Sequence, residues 1–340
     1  MTEMPETTKR GKIKASLAHV TDRFIKSPES SIIMGLIIYI IIVTCVNPVF
    51  LSANNVINVL RSTGFTVIVV VGMTFVLIAG GLDLSVGSVF ALGAVICGMC
   101  CASGMPVPAA ILLGLLAGVL FGFINGILIV KTGIPPLIVT LGMQYAGRGL
   151  VSVLTKGVPI YPLPPSLVSM EKIRVFGIVP LVVIIALIVA AIGHIILAKT
   201  VFGRSALAIG GNSEAAKISG IDINKTKTLV YVMAAALGAF SGIIMASRLG
   251  SAEPSTGSGL ELKVICGAII GGTSIIGGMG TILGATLGAL FMEIVTNSLT
   301  LMKISVYWQN LVFGVILIAS VLLDQYRRSL ILRQSIKSVD

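Results

Sequence analysis

Long apolar runs alternate with short polar breaks along the whole chain. A helix needs about 18 to 20 apolar residues to cross roughly 30 Å of hydrocarbon. On that measure spans fall at about Ile32–Val46, Thr63–Ala79, Val86–Ala102, Val107–Val130, Leu137–Leu154 and Phe176–Leu197. Four more follow at about Leu229–Ser247, Val264–Ile276, Thr281–Leu301 and Val306–Leu323. The first ends before Asn47-Pro48, and a Pro-rich stretch, VPIYPLPPS (Val158–Ser166), separates the fifth from the sixth. The run Val264–Ile276 is too short to cross unaided and predicts a broken or re-entrant element. Strands of a membrane barrel alternate apolar and polar residues, so these continuous runs exclude a barrel. The expected fold class is an all-α polytopic membrane protein with about ten transmembrane helices. Its expected divisions are a tail at 1–30, a transmembrane domain at 31–323 and a tail at 324–340.

Composition agrees. Of 340 residues, 56% are hydrophobic and 11% charged, with a mean hydropathy of +1.06, whereas soluble domains carry about 25% charge. The net charge of +11 does not indicate nucleic acid, because the basic residues gather in both tails and in Lys199–Thr228. That is the positive-inside pattern of a membrane protein. With the N-terminus cytoplasmic, about ten spans place both tails and the central loop inside. Lys9, Arg10, Lys12, Lys14, Arg23, Lys26 and Lys131 are then inner, while Arg61, Lys156, Lys172, Arg174, Arg248, Lys263 and Lys303 are outer. An odd span count destroys this asymmetry. Residues 1–30 are polar and carry no cleavable signal pattern. The five cysteines lie in apolar stretches and read as buried thiols, with no disulfide framework and no metal site.

Glycines recur at every fourth position in two spans, as Gly114, Gly118, Gly122, Gly126 and as Gly280, Gly284, Gly288. Such stripes give flat faces for close helix packing. They fit equally a tight bundle or two weakly related halves about a central path.

Enzyme signatures are missing. The chain has no GxxxxGK[ST] for ATP, and its two histidines, His19 and His194, sit in no metal or catalytic pattern. The intramembrane polar residues are Asn125, Gln144, Arg148, Glu293 and Asn297. Ionisable groups in lipid are expensive and mark either a path or a buried network. Gln144 and Arg148 share a helix face, as do Glu293 and Asn297. An Arg148–Glu293 pair would neutralise both charges, and a path lining is the other reading. In GGLDLSVGS, Asp83 and Ser85 are placed to cap the following span, and Gly80, Gly81 and Gly87 to allow a tight turn.

The polar interruption Lys199–Thr228 predicts one short helix, roughly Ser213–Ser219. Asn212 or Ser213 caps it, Glu214 complements its positive end, Ala215, Ala216 and Lys217 carry it, and Gly220 stops it. Ile218 and Ile221 give it an apolar edge, which favours docking to a soluble partner over a solvated connector.

These residues resemble the permease subunits of ribose-type ABC sugar importers. The likeness rests on IAGGLDLSVGS (Ile78–Ser88), NGILIVKTGIPPLIVTLGMQYAGRGL (Asn125–Leu150), GRSALAIGGNSEAAKISGI (Gly203–Ile221) and GGTSIIGGMGTILGATLGAL (Gly271–Leu290). Branched-chain amino-acid permeases are the nearest related group. The resemblance implies a multi-pass protein of the bacterial cytoplasmic membrane, and a permease dimer on two cytoplasmic ATPases that hold ATP and Mg. It also implies a soluble binding protein that delivers sugar, and a path at the dimer interface. This chain itself carries no cofactor. The segment matching Gly203–Ile221 becomes the coupling helix on the ATPase, and transport proceeds by alternating access. Gln144-Tyr145 departs from the common pattern, and the basic N-terminal tail has no counterpart role. A stand-alone secondary transporter or facilitator is the alternative, with Glu293 as its sole coupling carboxylate. A membrane scaffold or receptor is a further one.

Overall fold

The computed structural model describes residues 28–337, and its regular structure is almost entirely helical. The helices are α1 (Pro28–Val46), α2 (Ala53–Ile78), α3 (Val86–Ala102), α4 (Val107–Thr132) and α5 (Pro136–Thr155). A short α6 (Pro165–Lys172) and a two-residue hairpin, β1 (Arg174–Val175) with β2 (Val179–Pro180), lead into α7 (Leu181–Lys199). Then come α8 (Val201–Gly211), α9 (Ser213–Ile218), α10 (Ile223–Leu249), α11 (Leu260–Ile270), α12 (Ile282–Leu301) and α13 (Val306–Lys337). Six of these are long and apolar enough to cross a membrane, with shorter apolar helices at Ile32–Val46, Val86–Ala102 and Tyr307–Leu322 among the described residues.

Helix α2 is the centre of the bundle. Every residue from Thr63 to Ile78 is buried, as a helix apolar on all sides must be. It packs antiparallel to α10: Gly72 lies against Ala234, and the Ser241 hydroxyl donates to the Phe65 carbonyl at 2.9 Å. Around this pair stand α3, α4, α7, α11 and α12. Outer helices α4 and α7 leave rows of large apolar side chains exposed, such as Leu112, Leu116, Leu120, Ile188, Ile192 and Ile195, as surfaces that face lipid.

The glycine stripes are packing faces. Gly118, Gly122 and Gly126 bring α4 onto Ala239, Ala235 and Thr228 of α10, while Gly114 meets Gly93 of α3. Gly284 and Gly288 bring α12 onto Gly271 and Gly267, but Gly280 lies outside the helix, with φ +158°. Several expected span limits shift. α2 starts ten residues before Thr63, because its polar first turns carry Asn55 and Arg61 inside the protein. α7 starts at Leu181, because the hairpin occupies Arg174–Pro180. The short eighth run becomes α11, of 11 residues, followed by a non-helical stretch before α12.

Candidate functional site

The polar segment after α7 is more helical than expected. Thr200 caps α8 by accepting the Gly203 N–H at 3.2 Å, and Ala206 and Ile209 bury one face of it. Asn212, rather than Ser213, then caps α9, its side-chain oxygen accepting the Ala215 N–H at 3.0 Å. The helix stops at Ile218, Ser219 is its C-cap, and Gly220 follows with φ +81° in the left-handed region that favours glycine. Glu214, Lys217 and Ile218 all project outward, Ile218 with 87% of its surface exposed, while Ala216 is buried and Ile221 half-buried.

The end of α8 is fixed to the bundle by backbone contacts as well. A Cβ on Gly210 would overlap the Ile78 carbonyl oxygen and lie 2.5 Å from the Gly278 nitrogen. Those two atoms are hydrogen-bonded to each other at 2.8 Å. Gly277 packs equally on Gly210 and Gly80, and Gly278 on Gly211. Gly80, the pair Gly210–Gly211 and the pair Gly277–Gly278 therefore meet where α2 ends, where α8 ends and where the chain turns after α11. Only glycine permits so close an approach of main chains.

From that junction the motif Gly80–Ser88 runs through the protein interior, irregular as far as Ser85 and helical from Val86, where α3 begins. Irregular backbone at membrane depth is tolerable only where protein encloses it. Gly80 turns with φ +73°, and Gly81 leaves room for the Tyr231 hydroxyl. Asp83 is fully buried. Its Oδ1 accepts the Ser85 N–H at 2.8 Å and the Ser85 hydroxyl at 2.6 Å, while its Oδ2 makes no hydrogen bond. Asn125 of α4 donates to Ser85 Oγ at 2.7 Å. The expected cap of α3 by Ser85 is thus replaced, because Asp83 and Asn125 engage its hydroxyl.

Gly87 meets the next cluster. A Cβ there would strike Glu261 and approach the Gly257 carbonyl to 2.5 Å. Arg148 of α5 donates to the carbonyls of Gly87 at 3.0 Å, Pro254 at 3.0 Å and Thr256 at 2.7 Å. Gln144, one turn earlier, donates to Glu261 at 2.9 Å. The expected Arg148–Glu293 pair does not form. α11 supplies a separate partner to each, Glu261 facing Arg148 and Lys263 bonding Glu293 at 2.8 Å. Asn297 instead exchanges two hydrogen bonds of 2.9 Å with Asn55 of α2. The five expected polar residues therefore fall into four clusters rather than one network. Glu261, Thr66 and Asn55, which the sequence did not single out, and Lys263, counted there only as an outer charge, complete them.

The Lys263–Glu293 pair, with Thr66 donating to Glu293, lines a cleft of about 390 Å³. Ser62, Thr256, Ser258, Thr296 and Gln309 add polar groups, and Phe65, Phe90 and Phe313 add aromatic faces. Small-molecule sites span roughly 300–1,000 Å³ and combine a few polar groups with apolar walls. Ser62 precedes Ile78 by sixteen residues of α2, about 24 Å at 1.5 Å per residue. The cleft thus opens at the end of the bundle away from the glycine junction and α9.

Residues 55–321 match the family model described as the branched-chain amino acid transport system/permease component. The chain belongs to that permease family. Within the family it is a ribose-type ABC importer permease, and it is a multi-pass protein of the bacterial inner membrane. The permease is 38% identical to the ribose import permease protein of Haemophilus influenzae, over 88% of this chain and 93% of that one. It is 40% identical to the ribose import permease protein of Bacillus subtilis, over 86% and 91%. It is 35% identical to the D-allose transport system permease protein of Escherichia coli, over 81% and 85%. No solved structure matches the chain.

Proposed function

We propose that this permease is the membrane subunit of an ATP-driven importer that moves a monosaccharide, a ribose-like pentose or a hexose, by alternating access. Its relatives are named for import of ribose and allose. The observation that carries the reading is α9: a capped helix, exposed at Glu214, Lys217 and Ile218, on a chain whose sequence has no P-loop. A helix held outside the bundle, yet joined to its interior by main-chain contacts, suits docking to a separate ATPase that binds ATP and Mg. A second copy of the chain and an extracytoplasmic sugar-binding protein complete the assembly. The cleft around Lys263 and Glu293 would contribute this chain's polar lining to the outer part of the path.

Orientation follows the same reading. α2 enters the α9 end, α3 leaves it, α4 returns and α5 leaves again, as the contacts Gly72–Ala234, Gly126–Thr228 and Gly147–Ser88 support. Continued through α13, the alternation favours about ten crossings with both termini cytoplasmic, as the charge distribution requires. The two related halves belong to the same proposal.

Glu214→Arg tests the docking. It reverses the charge in the first turn of α9 without touching a buried contact. Expected in vesicles with the ATPase and binding protein is normal membrane insertion with loss of uptake. Sugar uptake by vesicles containing this chain alone would overturn the importer reading in favour of a facilitator.

A further inference from the structure

A groove of about 360 Å³ runs between the ends of α4 and α10 nearest α9. Gly122 and Gly126 create it by letting α4 lie close against Val232 and Thr228 of α10, so the larger side chains on either side stand up as walls. Phe123, Ile127 and Val130 form one wall, with Leu229 and Val232 on the other. These positions recur at helical spacing on each helix and are open to the surroundings, Phe123 with 46% and Leu229 with 42% of its surface exposed. From Phe123 to Lys131 the groove is about 12 Å long at 1.5 Å per residue.

Its rim at the α9 end is polar and cationic. Lys131 closes α4, and Asn224, Lys225 and Thr228 open α10. Among the described residues neither lysine forms an ion pair. The nearby acid, Asp222, already accepts the Lys225 backbone N–H at 2.9 Å as the cap of α10. Two exposed ammonium groups therefore stand above an apolar trough.

We infer that this groove binds a phospholipid with an anionic headgroup, its acyl chain along the Phe123–Val232 trough and its phosphate between Lys131 and Lys225. Basic pockets between helices at the cytoplasmic face select anionic lipids in this way. Charge complementarity separates this occupant from the chain's own N-terminal segment, since Lys9, Arg10, Lys12, Lys14, Arg23 and Lys26 make that segment strongly basic. The trough separates a lipid from a free phosphate ion, which has no use for five apolar side chains. The inference rests on the chain's place in a membrane and not on transport, so its failure leaves the proposed function standing.

Native mass spectrometry of the detergent-purified permease, titrated with phosphatidylglycerol or phosphatidylethanolamine, provides the test. The wild type should retain phosphatidylglycerol over phosphatidylethanolamine, and Lys131→Gln/Lys225→Gln should weaken that retention by about tenfold to thirtyfold. Lys199→Gln/Arg204→Gln, on the same side but outside the groove, should not. Val232→Trp, which fills the trough, should also reduce retention, and soluble glycerophosphoglycerol should not compete. Unchanged phosphatidylglycerol retention in the Lys131/Lys225 variant would overturn the site. Full competition by glycerophosphoglycerol, with Val232→Trp without effect, would overturn the lipid in favour of a simple anion.

Discussion

Gly210→Ala is the sharpest test of the glycine junction. The added Cβ meets only backbone: the Ile78 carbonyl oxygen, the Gly278 nitrogen at 2.5 Å and the Ile78 carbonyl carbon at 2.9 Å. None of these can rotate aside as a side chain would. Reaching the 3.4 Å of an ordinary contact with Gly278 requires α8 to draw back by roughly 0.9 Å, and the closer Ile78 oxygen requires more. The Gly278–Ile78 hydrogen bond joins the other two segments and survives that withdrawal, so the cost is the overpacking itself, about 1–3 kcal/mol. Alanine's helix preference returns about 0.5–1 kcal/mol, so the net loss is about 0–2.5 kcal/mol. Gly211→Ala is the matched control, since a Cβ there meets nothing within 4 Å. In detergent, Gly210→Ala should melt below the wild type and Gly211→Ala at or above it. In vesicles reconstituted with the ATPase and binding protein of the proposed importer, Gly210→Ala should support ATP hydrolysis with little uptake, because the proposed coupling segment is displaced from α2. Equal melting and equal uptake for the two variants would refute the junction as a rigid contact.

Two other substitutions probe the buried polar groups. Asp83→Asn keeps the oxygen that accepts from Ser85 and puts an amide where Oδ2 now has no partner. It should therefore melt at or above the wild type, whereas Asp83→Ala, which strips Ser85 of its acceptor, should lose about 1–3 kcal/mol by the same melting assay. Lys263→Met leaves Glu293 buried with Thr66 as its hydrogen-bond donor and only the more distant Arg248 charge, and should cost up to about 3–5 kcal/mol. Lys263→Met/Glu293→Leu should recover much of that stability in detergent yet remain poor in uptake if the cleft lines the path.

The sequence made α9 readable because its determinants are local. Asn212 accepts from three residues ahead and Gly220 turns the chain immediately after, and both act within one helical turn. Helix α8 was less legible, although Phe202, Ala206 and Ile209 recur at helical spacing, because the charges of Lys199 and Arg204 make the whole stretch read as loop. The partners of Arg148 and Glu293 were beyond local reading altogether. Charge neutrality demands that each find a counter-charge, but α11, folded in as a short element, decides which one. Glu261 and Lys263, two charges opening an apolar run too short to cross, were the available signal. The glycine junction likewise joins residues more than sixty positions apart, and no periodicity within one helix reports such an approach.

The arrangement also constrains how a push on α9 would reach the cleft. The first step, from Gly210 to Ile78, Gly80 and Gly278, is main chain against main chain, with no flexible side chain to absorb displacement. Close-packed interiors transmit strain rather than deform gradually. The next step runs along buried main chain, with the Gly80–Ser88 stretch held to α4 by the Ser85–Asn125 hydrogen bond. Beyond Gly87 the connection changes character. There Arg148 spans three carbonyls, two of them, Pro254 and Thr256, on the loop that forms one edge of the cleft. Side-chain hydrogen bonds of this kind can exchange partners while main-chain packing cannot. On the proposed function, movement would pass from the junction to Gly87 and be converted there, with the Arg148 fork as the part whose bonds would change.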